Sequence, residues 1–248
     1  MSGHSKWHNI RLKKGKTDAK RGALFTKISK EIILAAKNGS PDPDANYRLK
    51  MAVEKARLNN MPQDNIKRAI ARATGAGERE IEEIRYEGYG AAGVAVIVDI
   101  ATDNRNRTAS ELRFLFSRNG GSLGETGSVG WMFAQRGLIE VDAAKLDEDT
   151  LTERALVDGV IDVRWNDGET PEIVTEPHEL MAVKDLLEAA GVHVRTAQLV
   201  MEPTQLTQPT GEDAEKVFNL LDGLEDHEDV QRVASNADFD DAQLEAMA

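Results

Sequence analysis

Lys6, Trp7, His8, Arg11, Lys13, Lys14, Lys16, Lys20 and Arg21 crowd the first 21 residues. Clustered Lys and Arg side chains neutralise phosphates and release counterions, an affinity that does not depend on base sequence. Trp7 in their midst could stack on an unpaired base, a contact worth roughly 1–3 kcal/mol. The competing reading is a solubilising arm with Trp7 docked on its own domain. Lys27 extends the basic set along a helix. A second set stands in Asp103-Asn104-Arg105-Asn106-Arg107-Thr108. The planar forks of Arg105 and Arg107 suit phosphate and base edges, though either could instead pair with a carboxylate such as Asp103 or cap backbone carbonyls.

Other chemistries find less support. His4 and His8 have the i, i+4 spacing that chelates a metal on a helix. No third ligand accompanies them, and Gly3 and Ser5 disfavour a helix there, so no metal is expected. The chain has no cysteine, which excludes disulfides, thiolate sites and cysteine nucleophiles. Glu87–Gly93 and Gly120–Ser128 are glycine-rich, but neither carries the G-x-x-x-x-G-K-[ST] or G-x-G-x-x-G pattern of a nucleotide loop, so turns and bulges are expected. His178, His193 and His227 sit in separate segments without a catalytic signature. The sequence points away from an enzyme and calls for no cofactor.

Those residues need elements to hold them. Residues 1–17 read as a flexible basic arm without hydrophobic period. A helix follows over Asp18–Asn38, with Phe25, Ile28, Ile32 and Ala35 as its stripe and Gly39 as a stop. Lys20, Lys27, Lys30 and Lys37 share another face. Asp42-Pro43-Asp44 opens a second helix and Pro62 a third, which ends near Gly75 and exposes Lys67, Arg68 and Arg72. Val94–Ile100 is a nearly continuous apolar run, the mark of a central strand. Thr108-x-x-Glu111 reads as a capping box opening a helix closed by Gly120-Gly121. Val129, Trp131 and Phe133 alternate as a strand. From Gly137 a regular βαββαβ unit appears: strands at Leu138–Asp142, Asp162–Asn166, Glu172–Thr175 and Val192–Met201, and helices at Asp147–Asp158 and Pro177–Ala190, with Asp167-Gly168 as the hairpin turn. Pro203–Pro209 reads as a linker. A helix with Ala214, Val217, Leu221 and Leu224, a strand at Val230–Ser235 and a frayed acidic tail from Asp238 complete the chain.

The 84–134 piece and the C-terminal helix and strand are each too small to bury an apolar face, so they are expected to join. The predicted fold is therefore α+β and multidomain: an N-terminal three-helix domain followed by two ferredoxin-like α/β domains, one inserted in the other. The expected boundaries are 1–80, 81–135 with 204–240, and 136–203.

Charge follows the same division. The chain's net charge is −12, yet residues 1–80 hold 18 Lys and Arg against 8 Asp and Glu, a net of +10, and residues 81–248 hold 13 against 35, a net of −22. Such asymmetry points to an anionic partner on the basic side. No apolar run reaches the ~20 residues that span a bilayer, and the N-terminus lacks a signal-peptide pattern. A cytoplasmic protein without membrane contact is expected.

Gly3-His4-Ser5-Lys6-Trp7, Asp18-Ala19-Lys20-Arg21, Phe25-Thr26-Lys27-Ile28, Asn59-Asn60-Met61-Pro62, Tyr86-Glu87-Gly88-Tyr89-Gly90, Asp103–Thr108 and Gly120-Gly121-Ser122-Leu123-Gly124 together resemble the YebC/PmpR family of transcriptional regulators, which includes mitochondrial translational activators. The resemblance covers nearly the whole chain. One departure is Ala91-Ala92, where the family usually has Pro-Gly, and it bears on the stiffness of that loop. The resemblance implies three domains, no catalytic residues, no cofactor and no small-molecule substrate. It attaches two roles to the family: DNA-binding transcriptional regulation, and ribosome association that relieves stalling at proline-rich stretches. Trp7 within a Lys-rich arm, and short helices without an evident base-reading face, favour structured RNA. The expected function is a ribosome- or rRNA-associated translation factor, with a DNA-binding regulator as the alternative and a small-molecule sensor built on the βαββαβ unit as a remote third.

Overall fold

Aliphatic side chains spaced by three and four make Asp18–Lys37 a helix, α1. In the computed structural model the described residues are 18–75, 80–142, 146–165, 170–240 and 243; the basic arm, His4 and His8, the Asp167-Gly168 turn and most of the tail beyond Asp240 lie outside them. Helices α2 (Tyr47–Leu58) and α3 (Gln63–Thr74) pack against α1. The second helix starts later than Asp42-Pro43-Asp44 indicates, because Asn46 is the better cap. Its Oδ1 accepts from Leu49 N at 3.1 Å, while its amide donates to the carbonyls of Ala35 and Ser40 at 2.8 and 2.7 Å. One side chain thus closes α1 and opens α2. The burial of α1 exceeds the expected stripe: Ile33, Leu34 and Ala36 are buried together with Ile28, Ile32 and Ala35. The same core includes Ala101 from the sheet that follows, so the helix is covered on more than one side.

That sheet contains β1 (Glu82–Tyr89), β2 (Ala95–Thr102), β3 (Ser122–Leu123) and β8 (Val230–Ser235), in the order β3-β1-β2-β8, all antiparallel. Val96, Val98 and Ile100 of β2 face two helices, α4 (Arg105–Arg118) and α7 (Glu212–Asp226), which supply Leu112, Phe116, Val217, Leu221 and Leu224 to one core. Helix α4 begins three residues before the expected capping box. Asn104 is its cap and accepts from Arg107 N at 3.1 Å, and Thr108 lies buried within the first turn. Gly88 has no freedom to change, since a Cβ there would lie 2.6 Å from Ser122 O and 2.8 Å from the Phe116 ring. The acidic tail is anchored where it begins: Phe239 is buried in this core, edge-on to Phe218 at 6.4 Å.

The remaining strands form a second antiparallel sheet: β4 (Phe133–Val141), β5 (Val160–Arg164), β6 (Glu172–Thr175) and β7 (Val194–Pro203), ordered β5-β6-β4-β7, with α5 (Glu148–Arg154) and α6 (Leu180–Ala189) between them. This is the βαββαβ order of a ferredoxin-like unit. Its core is Ile139, Val141, Leu151, Ile173, Leu180, Val183 and Leu187. The strand expected at Val129–Phe133 is instead a turn, Gly130–Met132, leading directly into β4. The architecture is the expected α+β arrangement of an N-terminal helical part and two four-stranded sheets. Residues Met132–Gln205 are one compact unit, and the described residues on either side of them are another, in which α1–α3 belong with the first sheet. Among the described residues no helix is long and apolar enough to cross a membrane.

Candidate nucleic-acid interface

The two basic sets of the sequence meet at a carboxylate that the sequence did not single out. Asp229 lies in the turn between α7 and β8 and its side chain is fully buried. Lys30 from α1 donates to its Oδ1. Arg107 and Thr108 from α4 donate to Oδ2 at 2.8 and 2.6 Å, and Thr102 from β2 at 3.2 Å. Burial works against ionisation, yet Lys30, Thr108 and Arg107 outweigh it and hold this carboxyl well below the usual carboxylate range. Asp229 therefore ties the helical part to the sheet through two charge-assisted contacts. His227 Nδ1 accepts from Asp229 N at 3.1 Å, and its Nε2 lies 2.9 Å from Glu111 Oε2. Glu111, His227 and Asp229 are close enough to surround a metal ion, but two cations already occupy the Asp229 carboxylate.

The sequence-predicted site residues separate into three groups. Lys6, Trp7, Arg11, Lys13, Lys14 and Lys16 lie outside the described residues; Lys20 falls on α1, where its backbone alone is described. Lys27 and Arg107 turn inward. Lys27 donates to the carbonyl of Glu225 at the C-terminal end of α7, a favourable place for a cation. Arg107 is shared between Asp229 and Asp103, the latter at 3.2 Å, and Asp229 raises its pKa despite desolvation. Arg21 and Arg105 face outward. Arg21 stacks on the Phe25 ring at 5.6 Å from its centroid. Arg105, the first residue of α4, is exposed and has no side-chain partner among the described residues.

Between α1, α3 and the start of α4 lies an open cleft of about 460 Å³ with Phe25, Lys30, Arg72, Asp103, Arg107 and Glu228 on its wall. Its three cations are offset by Asp103, Glu228 and the adjacent Asp229, so the cleft presents little net charge. A positive surface lies outside the cleft, on α3. Only four residues, Asn59–Pro62, join α2 to α3. Asn60 takes the left-handed conformation at φ 59°, which asparagine tolerates. Met61 is buried and its N–H donates to Ala56 O at 2.9 Å. These contacts fix the connection, and α3 then turns Gln63, Lys67 and Arg68 to solvent away from the cleft, with Asp64 the single acid of that helix.

The glycine-rich segments are structural. Glu87 on β1 is buried and accepts from the backbone N–H groups of Gly127, Val129 and Gly130 at 2.9, 2.8 and 2.7 Å. Burial opposes its charge, but these three donors prevail and lower its pKa. A protein carboxylate thus fills the concavity that such a loop would offer an anion. At the other glycine-rich turn, Ala92 has φ 53° and ψ 19°, a left-handed backbone that costs a residue with Cβ about 1–2 kcal/mol.

Residues 5–76 match the TACO1/YebC protein N-terminal domain, and residues 81–237 match the TACO1/YebC second and third domain. A probable transcriptional regulatory protein of Moorella thermoacetica is 52% identical over 242 residues, covering 96% of each chain. One from Natranaerobius thermophilus is 49% identical over 249 residues, covering 99% of each chain. The crystal structure of the conserved hypothetical protein Aq1575 from Aquifex aeolicus is similar with a TM-score of 0.84 and 43% identity, covering 91% of this chain and 93% of that one.

Proposed function

The chain belongs to the TACO1/YebC family, and from that premise we propose that it is a nucleic-acid-binding regulator of gene expression, non-enzymatic and cytoplasmic, whose target is DNA. The relatives' name, probable transcriptional regulatory protein, supports this reading. The observation that carries it is the α2–α3 pair. Two helices on a fixed four-residue connection resemble the arrangement by which a second helix is presented to a duplex groove. The sequence pattern marks no base-reading face on α3, but the fold leaves Gln63 and Arg68 exposed, side-chain types that hydrogen-bond base edges, and Lys67, a phosphate contact. Lys6, Arg11, Lys13, Lys14, Lys16, Lys20, Arg21 and Arg105 add phosphate affinity and Trp7 a surface for stacking on a base, while Lys27 and Arg107 hold α1 and α4 in place.

Retardation of duplex DNA at graded salt tests the proposal. Lys67→Ala with Arg68→Ala should weaken binding and flatten the log–log salt slope by about 0.9 for each lost phosphate contact. A second reading, a ribosome- or rRNA-associated factor that relieves stalling at proline-rich stretches, rests on Trp7 among the N-terminal cations. Absence of duplex binding, together with co-sedimentation with ribosomes that Trp7→Ala weakens, would replace the first reading by the second.

A further inference from the structure

Helix α4 is an electrostatic exception. Residues 81–248 carry a net charge of −22, yet the 14 residues of α4 hold Arg105, Arg107, Arg113 and Arg118 against Glu111 alone, a net of +3. Arg107 is engaged with Asp229, and Glu111 lies beside His227. Arg113 and Arg118 are exposed and have no ion-pair partner among the described residues. Phe114 stands between them with 62% of its surface exposed. A single exposed apolar residue is ordinary, but here its neighbours are of one kind. Asn106, Ser110, Arg113, Phe114 and Ser117 recur at spacings of three and four, so they share the face opposite the buried Thr108, Ala109, Leu112 and Phe116. Arg118 follows Phe114 by one turn. The result is an aromatic ring in water, flanked by two guanidinium groups without an ion-pair partner among the described residues and by small hydroxyl and amide side chains; the one acid of the helix, Glu111, lies a turn before the ring and is engaged with His227.

We propose that the outer face of α4, built on Phe114 with Arg113 and Arg118, is a second nucleic-acid contact that binds an unpaired stretch of RNA. The ring offers a platform to a splayed base, which a paired duplex does not expose. The two arginines meet the flanking phosphates. Asn106, Ser110 and Ser117 provide donors and acceptors for the ribose 2′-hydroxyl, the group that distinguishes RNA from DNA. This face lies apart in sequence from α3 and adds to the duplex reading without requiring it.

The test uses the full chain with a 12-nucleotide oligouridylate, the deoxy equivalent and a blunt DNA duplex. Phe114→Ala should weaken the oligouridylate about tenfold while leaving duplex binding and melting temperature unchanged, since the ring contributes little to the core. Arg113→Gln with Arg118→Gln should flatten the single-strand salt slope by about 1.4, about 0.7 for each phosphate. Phe114→Trp should retain affinity and show tryptophan quenching by the oligouridylate beyond that of the unsubstituted protein. Oligouridylate affinity unaffected by Phe114→Ala, an equal loss on the duplex, or equal binding of the deoxy strand would overturn the proposal. So would a defect confined to self-association or to acidic peptides, which would make this face a protein contact. Loss of duplex binding in Lys67→Ala, Arg68→Ala alone concerns the DNA reading, so the two can fail separately.

Discussion

Replacing Asp229 with Asn isolates the carboxylate that joins α1 to α4 and the α7–β8 turn. The amide keeps the size of the side chain and can still accept from Thr108, but it leaves Lys30 and Arg107 without their counter-charge. Removing one partner of a buried ion pair costs about 3–5 kcal/mol. Asp229 is fully buried, whereas the Lys30 and Arg107 side chains are 14% and 37% exposed and can recover some hydration, so about 3 kcal/mol is expected. For a chain of this size that corresponds to a loss of about 6–12 °C in melting temperature, read by calorimetry on the transition of the unit containing α1–α4, α7 and β8. The pH dependence supplies a second check. The folded carboxyl titrates well below the unfolded value of about 3.9. Its contribution is therefore complete above that value and is lost as pH falls towards the folded one. The gap between the two proteins should be constant from pH 7 to 5 and narrow below about pH 4. A gap under about 1 kcal/mol at pH 7, or one that stays constant down to pH 3, would refute the assignment.

Arg105 and Arg107 should separate in their effects: Arg105→Ala is expected to weaken nucleic-acid binding at a stability cost under ~0.5 kcal/mol, whereas Arg107→Ala should destabilise by about 2 kcal/mol, both measured by denaturant melts alongside retardation. Ala92→Gly relieves the left-handed backbone and should raise stability by about 1 kcal/mol, while Gly88→Ala should lower it by about 1–3 kcal/mol through overpacking against Phe116 and β3; reversal of either sign in calorimetry would contradict the geometry. Glu87→Gln should cost about 2 kcal/mol and accelerate hydrogen exchange at the amides of Gly127, Val129 and Gly130, and unchanged exchange there would show that the carboxylate does not hold the loop.

The hydrophobic period made the helices α1–α3 and the βαββαβ order legible, because each of those elements is defined by neighbours within a few residues. The joint at Asp229 was not, since it couples residues separated by 199 and 122 positions and nothing around Asp229 differs from the other acids of that half. The start of α4 was misplaced because Asn104 and Thr108 are both good caps, and tertiary contacts gave Thr108 to Asp229 instead. Phe239 stands alone among acids, so only its packing on Phe218 distinguishes it from a frayed end. Lys27 and Lys30 were legible as a basic face, but charge alone does not say whether a face meets solvent, a phosphate or another part of the same chain. The outward placing of Phe114 shows the reverse problem: in sequence it is one more apolar residue beside the stripe of Leu112, Leu115 and Phe116.

The position of β2 between β1 and β8 has a consequence for how the chain is made. One neighbour of β2 precedes it directly, while the other begins at Val230. During synthesis the segment 133–203 emerges uninterrupted with all four of its strands, so it has what it needs to fold before its host does. The host sheet must wait with Val96, Val98 and Ile100 uncovered by α7 and with one edge of β2 bare, an exposed template for wrong pairing. Pairing across such a separation is also slow. The segment from α7 through β8 therefore acts as a closing strap, and a chain cut ahead of residue 230 would leave this sheet open at β2.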